Sequence, residues 1–433
     1  MNVIPEDIIE AFKMIPETRA LYDEDPYLKE FESAVLKTGR YGGKCYIALS
    51  ESCFFPEGGG QPGDVGFLEG PEGRIEVIDT QSIDGIIVHI TSDSEVRISE
   101  REQVRGVIDW QRRYAHMKNH TASHVLYSAV REVLGIEKLM YMGFQIGAER
   151  SRMDINYGKP ITNDQLHEME LLCNKVALQN RPVKIKYMTR EEAEGKYGDK
   201  LGITEVTPGG KVRVVEVEGW DAGLCCGTHV RSTAEVLPIK ILGRLRLKKG
   251  VERIEFSAGE AAYRLFDEAV TKIRELTELF KVPTSELISR STRLLEDLRA
   301  AKKEIKKIKG KYVEAKSEAL LSKVKTAGKV NLIVSDLGDI DPETLKRIAV
   351  TLTKKSSSLV VFLGGAAEKA YIIGAAGKEA LREGVNVKEV LDEAAHFIQG
   401  GGGGVAKIAQ IGGVSINGLK RALEKCEEKI LKP

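Results

Sequence analysis

The chain has 433 residues, more than one ordinary domain holds, and its length predicts two to four domains. Its net charge of +1 does not indicate a nucleic-acid binder, so any RNA contact must come from local basic patches. No apolar run approaches the roughly 20 residues of a membrane helix, and the acidic N-terminus does not fit a secretory signal. We therefore expect a cytoplasmic protein with no membrane partner.

Short strands dominate the first part of the chain, where apolar and polar residues alternate between glycine-rich turns. The four predicted strands cover residues 44–49, 73–79, 85–90 and 103–109. Closely spaced strands of this kind are typical of a small barrel or sandwich. We interpret residues 1–105 as a β-barrel-like domain, and His89, inside an apolar strand, as a packed core histidine.

The period changes after Asp109, where apolar residues recur at three- and four-residue steps until Gly135. This pattern predicts one amphipathic helix. A second helix is predicted over residues 163–180, because Thr162 and Gln165 have the spacing of a capping box.

Strands return after the second helix. The predicted ones cover residues 183–187, 212–217, 236–241 and 252–256. With the two helices they make residues 106–258 an α+β domain. Residues 259–326 are helical in pattern, with a break at 282–284, and the strand and helix order beyond residue 328 predicts a glycine-rich α/β domain over 327–433.

A metal site is indicated by two short segments. His120 and His124 lie one turn apart on one face of the predicted helix, close enough to bind a single ion. Cys225 and His229, in a glycine-bounded segment, would add a soft thiolate and a third imidazole. This donor set fits Zn²⁺ and argues against Mg²⁺ or Ca²⁺. The alternatives are two surface histidines and a turn with a buried cysteine.

The histidine pair also excludes one class of enzyme. A zinc metalloprotease helix has glutamate directly after the first histidine, where it acts as the general base. Thr121 occupies that position here. A peptidase that used this helix would lack its proton acceptor.

Five motifs in order resemble those of the editing half of alanyl-tRNA synthetase and of the freestanding alanyl-tRNA editing proteins. They lie at residues 54–62, 119–124, 225–229, 251–256 and 400–413. The resemblance implies a zinc-dependent hydrolase that removes serine or glycine from mischarged tRNA(Ala). Its metal ligands would be His120, His124, Cys225 and His229.

Two forms of the family fit the motifs. Nothing before residue 30 is long enough for an aminoacylation domain, so we expect a freestanding long-form deacylase that proofreads in trans without ATP. A separately expressed editing and C-terminal fragment of the synthetase is the alternative. A tRNA-binding module with a purely structural zinc is a third possibility, whereas a phosphoesterase would need aspartate-rich motifs that the chain lacks.

Three further residues, in or near the motifs, have expected roles that each allow an alternative. Cys226 stands where the family usually has a small residue and could compete with Cys225 for the metal, although spacing favours Cys225. Gln145 resembles a pocket glutamine of the synthetase editing site. We expect Thr121 or Gln145 to hydrogen-bond the substrate; a plain helix threonine and an exposed strand glutamine are the alternatives.

RNA contacts are predicted from local basic patches and glycine runs, and a protein contact from the helical segment. A basic cluster comprises Arg244, Arg246, Lys248 and Lys249, and six lysines lie between residues 302 and 311. A solvated helix is the alternative interpretation of the lysines. The glycine runs at 58–60 and 400–404 could let backbone amides approach phosphates, or simply make turns. The resemblance further implies that the helical segment 259–326 joins two copies in a homodimer; core packing within one chain, which would use the same pattern, is the alternative.

Overall fold

The computed structural model describes residues 4–92, 98–137, 139, 141–201, 211–366 and 368–431. The chain divides into two compact units, Met1–Glu275 and Leu276–Pro433. The predicted barrel and α+β domains both lie in the first unit, and the boundary between them stays a prediction. No helix in the described ranges has both the length and the apolar character needed to cross a bilayer.

The first unit opens with a small closed barrel. Its elements are α1 (Glu6–Phe12), β1 (Arg19–Ala20), α2 (Leu21–Glu24), β2 (Glu30–Tyr41), β3 (Lys44–Leu49), β4 (Glu51–Ser52), β5 (Gly66–Gly70), β6 (Gly73–Ile83), β7 (Ile86–Thr91) and β8 (Gln103–Ile108). The barrel closes in the order β2-β3-β7-β6-β5-β8, with antiparallel pairing throughout. This confirms the barrel predicted from the alternating pattern.

Strand β3 is buried on both faces, which explains its nearly unbroken apolar sequence. Ile47 and Leu49 point into the barrel core. Tyr46 and Ala48 pack on the opposite side against Phe12 of α1. Helix α1 therefore covers an outer face of the barrel that would otherwise expose apolar surface.

His89 is a packed core histidine, as predicted. It is completely buried on β7, where its Nδ1 lies 3.0 Å from the carbonyl oxygen of Ile47 and its Nε2 lies 2.8 Å from Ser52 Oγ. Burial lowers the pKa of His89 to about 4. The ring is therefore neutral at pH 7, with both nitrogens bonded inside the protein.

The rest of the first unit is an α+β assembly. Its elements are α3 (Trp110–Leu134), β9 (Tyr141–Gln145), β10 (Ser151–Asn156), α4 (Asn163–Leu178), β11 (Val183–Thr189), α5 (Arg190–Tyr197), β12 (Lys211–Val217), β13 (Asp221–Leu224), β14 (Ile239–Lys248) and β15 (Val251–Ala258). The strands form two antiparallel sheets, β14-β15-β10-β9 and β11-β12-β13. Residues 198–201 and 233–236 are short 3₁₀ turns.

Helix α3 begins and ends where the sequence predicts. The Asp109 side chain accepts a hydrogen bond of 3.1 Å from the amide of Arg112, and Gly135 ends the helix with φ of 63°. The predicted amphipathic character is wrong, however: all residues from His116 to Val130 are buried. The loop at Gln61, strand β13 at Asp221 and the segment at His229 bond to its polar face, a long-range effect that helical periodicity cannot reveal.

Helix α4 carries the predicted capping box. Thr162 Oγ1 accepts from the amide of Gln165 at 3.2 Å, and Gln165 Oε1 accepts from the amide of Thr162 at 3.0 Å. Apolar residues of both helices pack in one core with the four-stranded sheet, Val125 and Met169 against Ile254. Helix α3 is therefore held against α4 and the four-stranded sheet through this core.

The boundary between the two units falls within helix α6 (Glu260–Phe280). The other elements of the second unit are α7 (Leu287–Leu321), β16 (Lys325–Ala327), β17 (Val330–Asp336), α8 (Pro342–Lys355), β18 (Leu359–Ala366), β19 (Ala370–Ala376), α9 (Lys378–Arg382), α10 (Val387–Ala394), β20 (Gly400–Val405), β21 (Ile408–Gly413) and α11 (Leu419–Leu431). A six-stranded sheet has the order β16-β17-β18-β19-β21-β20, in which only β17 and β18 are parallel. The predicted helix break falls between α6 and α7, where residues 284–286 form a 3₁₀ turn.

The glycine run at 400–404 forms a strand, which the sequence did not predict. It pairs with β21 at the edge of the sheet. A Cβ on Gly402 would lie 1.9 Å from the carbonyl oxygen of Gln410, and one on Gly404 would lie 2.4 Å from Ala409 Cα. Close backbone approach therefore requires glycine here, although glycine disfavours strands in general.

Candidate metal centre

Helix α3 positions the first two candidate ligands. His120 and His124 are one turn apart, both are buried, and their ring centroids are 6.0 Å apart. The cap at Asp109 and the core packing of Val125 hold the helix in place. The four-residue spacing therefore brings the two imidazoles to one side of the helix, as predicted.

The second segment follows strand β13. The amide of Cys225 donates to the carbonyl of Arg213 on β12 at 3.2 Å, which continues the sheet to the cysteine. Cys225 Sγ lies 3.2 Å from His120 Nε2 and 3.3 Å from His229 Nε2. The candidate ligand atoms of His120, His124, Cys225 and His229 all lie within 4.8 Å of one another. These two distant segments therefore meet around one point.

Each imidazole is held from behind by a different group. His120 Nδ1 lies 2.8 Å from Gln61 Oε1, His124 Nδ1 lies 2.8 Å from Asp221 Oδ2, and His229 Nδ1 lies 3.1 Å from Thr121 Oγ1. Ligand histidines in metal sites commonly bond through one nitrogen to such an outer group, which orients the other nitrogen towards the ion. The arrangement leaves the three Nε2 atoms free to act as ligands.

The electrostatics of the cluster favour a thiolate. Burial opposes ionisation of Cys225, but the neighbouring imidazoles of His120 and His229 outweigh it and hold the pKa of the thiol well below its ordinary value. Burial alone would lower the pKa of His124, yet its bond to Asp221 and the proximity of Cys225 raise it to about 10. A thiolate beside an imidazolium results, and a cation bound here would displace the imidazolium proton.

The donor set fits zinc. One thiolate and three imidazoles are the borderline-soft ligands that Zn²⁺ prefers, and their number matches its tetrahedral coordination. His120, His124 and His229 are buried and Cys225 is half-buried, so the four donors converge in a largely desolvated place where a bound cation would be shielded from water. His120, His124, Cys225 and His229 are therefore the residues that could hold the metal.

Two glycines let the ligands approach the backbone. A Cβ on Gly227 would lie 2.1 Å from His120 Cε1, and one on Gly223 would lie 3.1 Å from His124 Cε1. Any larger side chain at Gly227 would push the His120 ring away. The glycines that frame Cys225 therefore make room for the imidazoles.

Cys226 points elsewhere. Its side chain is exposed, and its Sγ lies only 2.8 Å from where a Cβ on Gly59 would be. The described cluster includes Cys225 and not Cys226. The neighbouring thiol thus packs against the glycine-rich loop of the barrel.

The two predicted substrate-binding residues lie in different surroundings. Thr121 is completely buried, and its Oγ1 also accepts from the amide of Val230 at 3.2 Å. Gln145 is exposed at the end of β9, where its Oε1 accepts from Arg152 Nε at 2.9 Å. The structure thus places Thr121 directly behind a candidate ligand and gives Gln145 a bond to a surface arginine.

Sequence reasoning missed Gln61 and Asp221. Gln61 directly follows the glycine run 58–60, which by itself indicates a turn or a phosphate contact and gives no sign of a metal centre. Asp221 precedes Cys225 by four residues in a strand, a position with no distinctive pattern. Only long-range folding pairs these residues with His120 and His124.

The predicted basic cluster is partly neutralised. Arg244 Nη1 lies 3.0 Å from Glu252 Oε2, and Arg246 Nε lies 3.7 Å from the other oxygen of the same buried carboxylate. Lys248 and Lys249 are exposed at the turn between β14 and β15. Fewer free charges therefore face solvent here than the sequence predicts.

Comparison with known families agrees with this architecture. Residues 26–112 match the class II (A) tRNA synthetases, residues 212–255 match the threonyl and alanyl tRNA synthetase second additional domain, and residues 329–432 match the DHHA1 domain. The fold and the site thus define a protein that combines a barrel, a synthetase second additional domain and a DHHA1 domain.

Curated relatives are more specific. The alanine–tRNA ligases of Methanobrevibacter smithii and Methanococcoides burtonii are 35% and 34% identical over 416 residues, which are 96% of this chain and 46% and 44% of theirs. That of Thermococcus kodakarensis is 37% identical over 81% of this chain and 38% of its own. The chain is an alanyl-tRNA synthetase-related protein with the editing and C-terminal modules, and it spans somewhat less than half the length of these relatives.

Among solved structures, the C-Ala domain from Aquifex aeolicus alanyl-tRNA synthetase is 28% identical. The structural match covers 25% of this chain and 97% of that domain, with a TM-score of 0.24.

Proposed function

We propose that the protein hydrolyses the aminoacyl ester of tRNA(Ala) mischarged with serine or glycine, and that it does so in trans. The observation that carries this proposal is the cluster of three imidazoles and one thiolate, in which an outer group orients each imidazole. The relation to alanine–tRNA ligases supports tRNA(Ala) as the nucleic-acid partner.

Zinc held by these four residues would supply polarisation of the ester carbonyl and activation of water. The chain's own residues orient the ligands. Because the Thr121 hydroxyl is engaged with His229 and Val230, we assign it a positioning role instead of direct contact with substrate. Asp221 holds His124 in the same way.

For serine, selectivity over alanine would depend on the serine hydroxyl, which alanine lacks. A site that bonds that hydroxyl leaves its own polar group unpaired when alanine is bound, so cognate Ala-tRNA would be spared. Gln145 remains our candidate for such contact. Its neighbour Ile146 donates to the carbonyl of Gly60 at 2.7 Å, so the residue adjoins the glycine-rich loop next to the centre.

We also propose a homodimer through the helical segment. Exposed apolar residues recur at three- and four-residue steps on α6 (Tyr263, Phe266, Val270, Ile273) and at steps of four, seven and three residues on α7 (Leu294, Leu298, Ile305, Ile308). Solvent exposure of such rows is unfavourable in a single chain. Sedimentation of the protein and of a Leu298→Lys variant tests this, and a parent that stays monomeric at micromolar concentration contradicts it.

A second candidate is a tRNA-binding module with a purely structural zinc. Four protein ligands form a closed set, and closed tetrahedral sites are normally structural. The exposed lysines of α7 between residues 302 and 311 would serve either function. Binding through phosphate contacts should then weaken steeply with salt.

One assay separates these functions. The whole chain is incubated with Ser-, Gly- and Ala-tRNA(Ala), before and after removal of metal by a chelator. We expect release of serine and glycine but not alanine, loss of activity with the chelator and recovery with zinc. His124→Ala should lose both bound zinc and hydrolysis. Unchanged hydrolysis by the metal-free protein contradicts a catalytic metal, and inactivity of the zinc-loaded protein favours the binding module.

A further inference from the structure

Gln61 directs its whole side-chain amide at the candidate metal centre. The residue is completely buried. Its Oε1 lies 2.8 Å from His120 Nδ1 and 3.1 Å from the amide nitrogen of Thr228, and its Nε2 donates to Thr228 Oγ1 at 2.8 Å. A residue of the barrel therefore contacts both segments that supply the ligands.

These contacts determine the tautomer of His120. The amide N–H of Thr228 can only donate, so the Gln61 atom that faces it must be the oxygen. The same oxygen faces His120 Nδ1, which must therefore carry a proton and donate it. With Nδ1 bonded to Gln61, His120 Nε2 is the nitrogen left to act as a metal ligand, and it lies 3.2 Å from Cys225 Sγ.

A tight turn presents Gln61. Gly58 and Gln61 exchange backbone hydrogen bonds of 3.0 and 2.9 Å, and Gly59 and Gly60 have φ of 58° and 79°. A Cβ on Gly60 would lie 2.9 Å from the carbonyl oxygen of Phe144. The turn therefore requires glycine for both its conformation and its contacts.

Helix α3 anchors the same loop. Arg112 Nη1 donates to the carbonyl of Gly63 at 2.6 Å, and Arg113 forms a buried ion pair with Asp64 and donates to the carbonyl of Cys53 at 2.6 Å. These arginines precede His120 by about two turns. One helix thus holds the loop with its first turns and presents the ligands with its middle.

From this geometry we propose that Gln61 is a positioning residue of the metal centre: it fixes the tautomer and the ring orientation of His120 and makes the barrel part of the site. The proposal rests on the metal centre of the proposed function. Loss of an outer group of this kind costs about 10- to 100-fold in metal affinity in known sites, and we expect a loss in this range for Gln61→Met.

The test measures zinc affinity of the whole chain by competition with a chelator, at a temperature where each metal-free variant is folded. Gln61→Met removes the acceptor at similar volume. Gln61→Glu keeps an acceptor for both N–H groups, and the Thr228 hydroxyl can rotate to donate to it, as in the Asp221–His124 pair. Gln103→Met, at an exposed position on β8, is the matched control.

We expect Gln61→Met to bind zinc 10- to 100-fold more weakly, Gln61→Glu to bind within about 3-fold of the parent, and Gln103→Met to match it. A merely structural loop residue would lower the melting temperature of the metal-free protein without this pattern of rescue. If the parent and Gln61→Met bind zinc equally well, the positioning role of Gln61 is wrong while the metal centre stands. The same conclusion follows if Gln61→Met and Gln61→Glu bind zinc equally weakly. A parent that binds no zinc overturns the metal centre and the inference together.

Discussion

Two runs of glycine, at residues 58–60 and 400–404, require glycine for different structural reasons. The first is a turn in which Gly59 and Gly60 adopt positive φ angles, and it presents Gln61 to His120. The second is an extended edge strand in which alternate glycines touch the backbone of β21, while Gly401 and Gly403 have open space around their Cβ positions. A glycine run therefore indicates that the backbone has an unusual conformation or lies close to other atoms, but it does not identify those atoms.

The two glycine runs also differ in what depends on the position of their backbone. In the first run, side chains of the metal centre depend on the turn, so a small shift should reach the ligands. In the second, alternate positions of one strand differ in the space around them, so adjacent substitutions should have unequal effects. Each prediction below perturbs one run or what it touches.

The largest effect is expected at the two adjacent cysteines beside the first run. Cys225→Ser removes the thiolate of the cluster and should abolish stoichiometric zinc binding, since serine is a poor zinc ligand. Cys226→Ser removes a thiol that packs against Gly59 and should leave zinc bound. Elemental analysis of the purified variants measures this. If Cys225→Ser kept its zinc and Cys226→Ser lost it, Cys226 would be the metal ligand instead of Cys225.

Next in size is a pH effect on the barrel that carries the first run. Burial lowers the pKa of His89 from 6.5 to about 4, so the unfolded chain binds more protons between these values. Stability should therefore fall as the pH drops from about 6.5 to 4, by about 3 kcal/mol from this residue. Denaturant unfolding of the metal-free protein measures it, with His89→Gln as the comparison; the same pH dependence in both would contradict the assignment.

A smaller effect is expected from Gly60→Ala. The positive φ of 79° and a contact of 2.9 Å with the Phe144 carbonyl oxygen should together cost about 1–3 kcal/mol of stability. The displaced turn should also move Gln61, so zinc affinity should fall with stability. Calorimetry and chelator competition on the same samples check both. Weakened folding with normal zinc affinity would show that the turn does not support the centre.

The smallest effect on the metal centre is expected in the second run. Gly402→Ala places a Cβ 1.9 Å from the Gln410 carbonyl oxygen, and the shift of this edge strand should cost about 1–3 kcal/mol of stability. Gly401→Ala meets no atom within 4 Å and should change stability by less than about 0.5 kcal/mol. Neither should alter zinc affinity. Equal effects of the two variants on unfolding would mean that the strand does not pair as described.

Local patterns determined much of this protein. The capped ends of α3 and α4, four of the six barrel strands and the break between α6 and α7 depend on neighbours in sequence, and these predictions are confirmed. Strands β2 and β5 were not predicted. The spacing of His120 and His124 needs only helical geometry. Cys225 and His229 could be added because thiolate and imidazole share a preference for zinc.

Tertiary structure alone decided what surrounds those ligands. Gln61 is 59 residues from His120, and Asp221 is 97 residues from His124, so no local pattern pairs them. The burial of α3 on all sides and the pairing of residues 400–404 as a strand likewise depend on distant segments. Sequence periodicity reports which residues avoid water, whereas hydrogen-bond partners are chosen by the folded backbone, which brings remote groups within 3 Å.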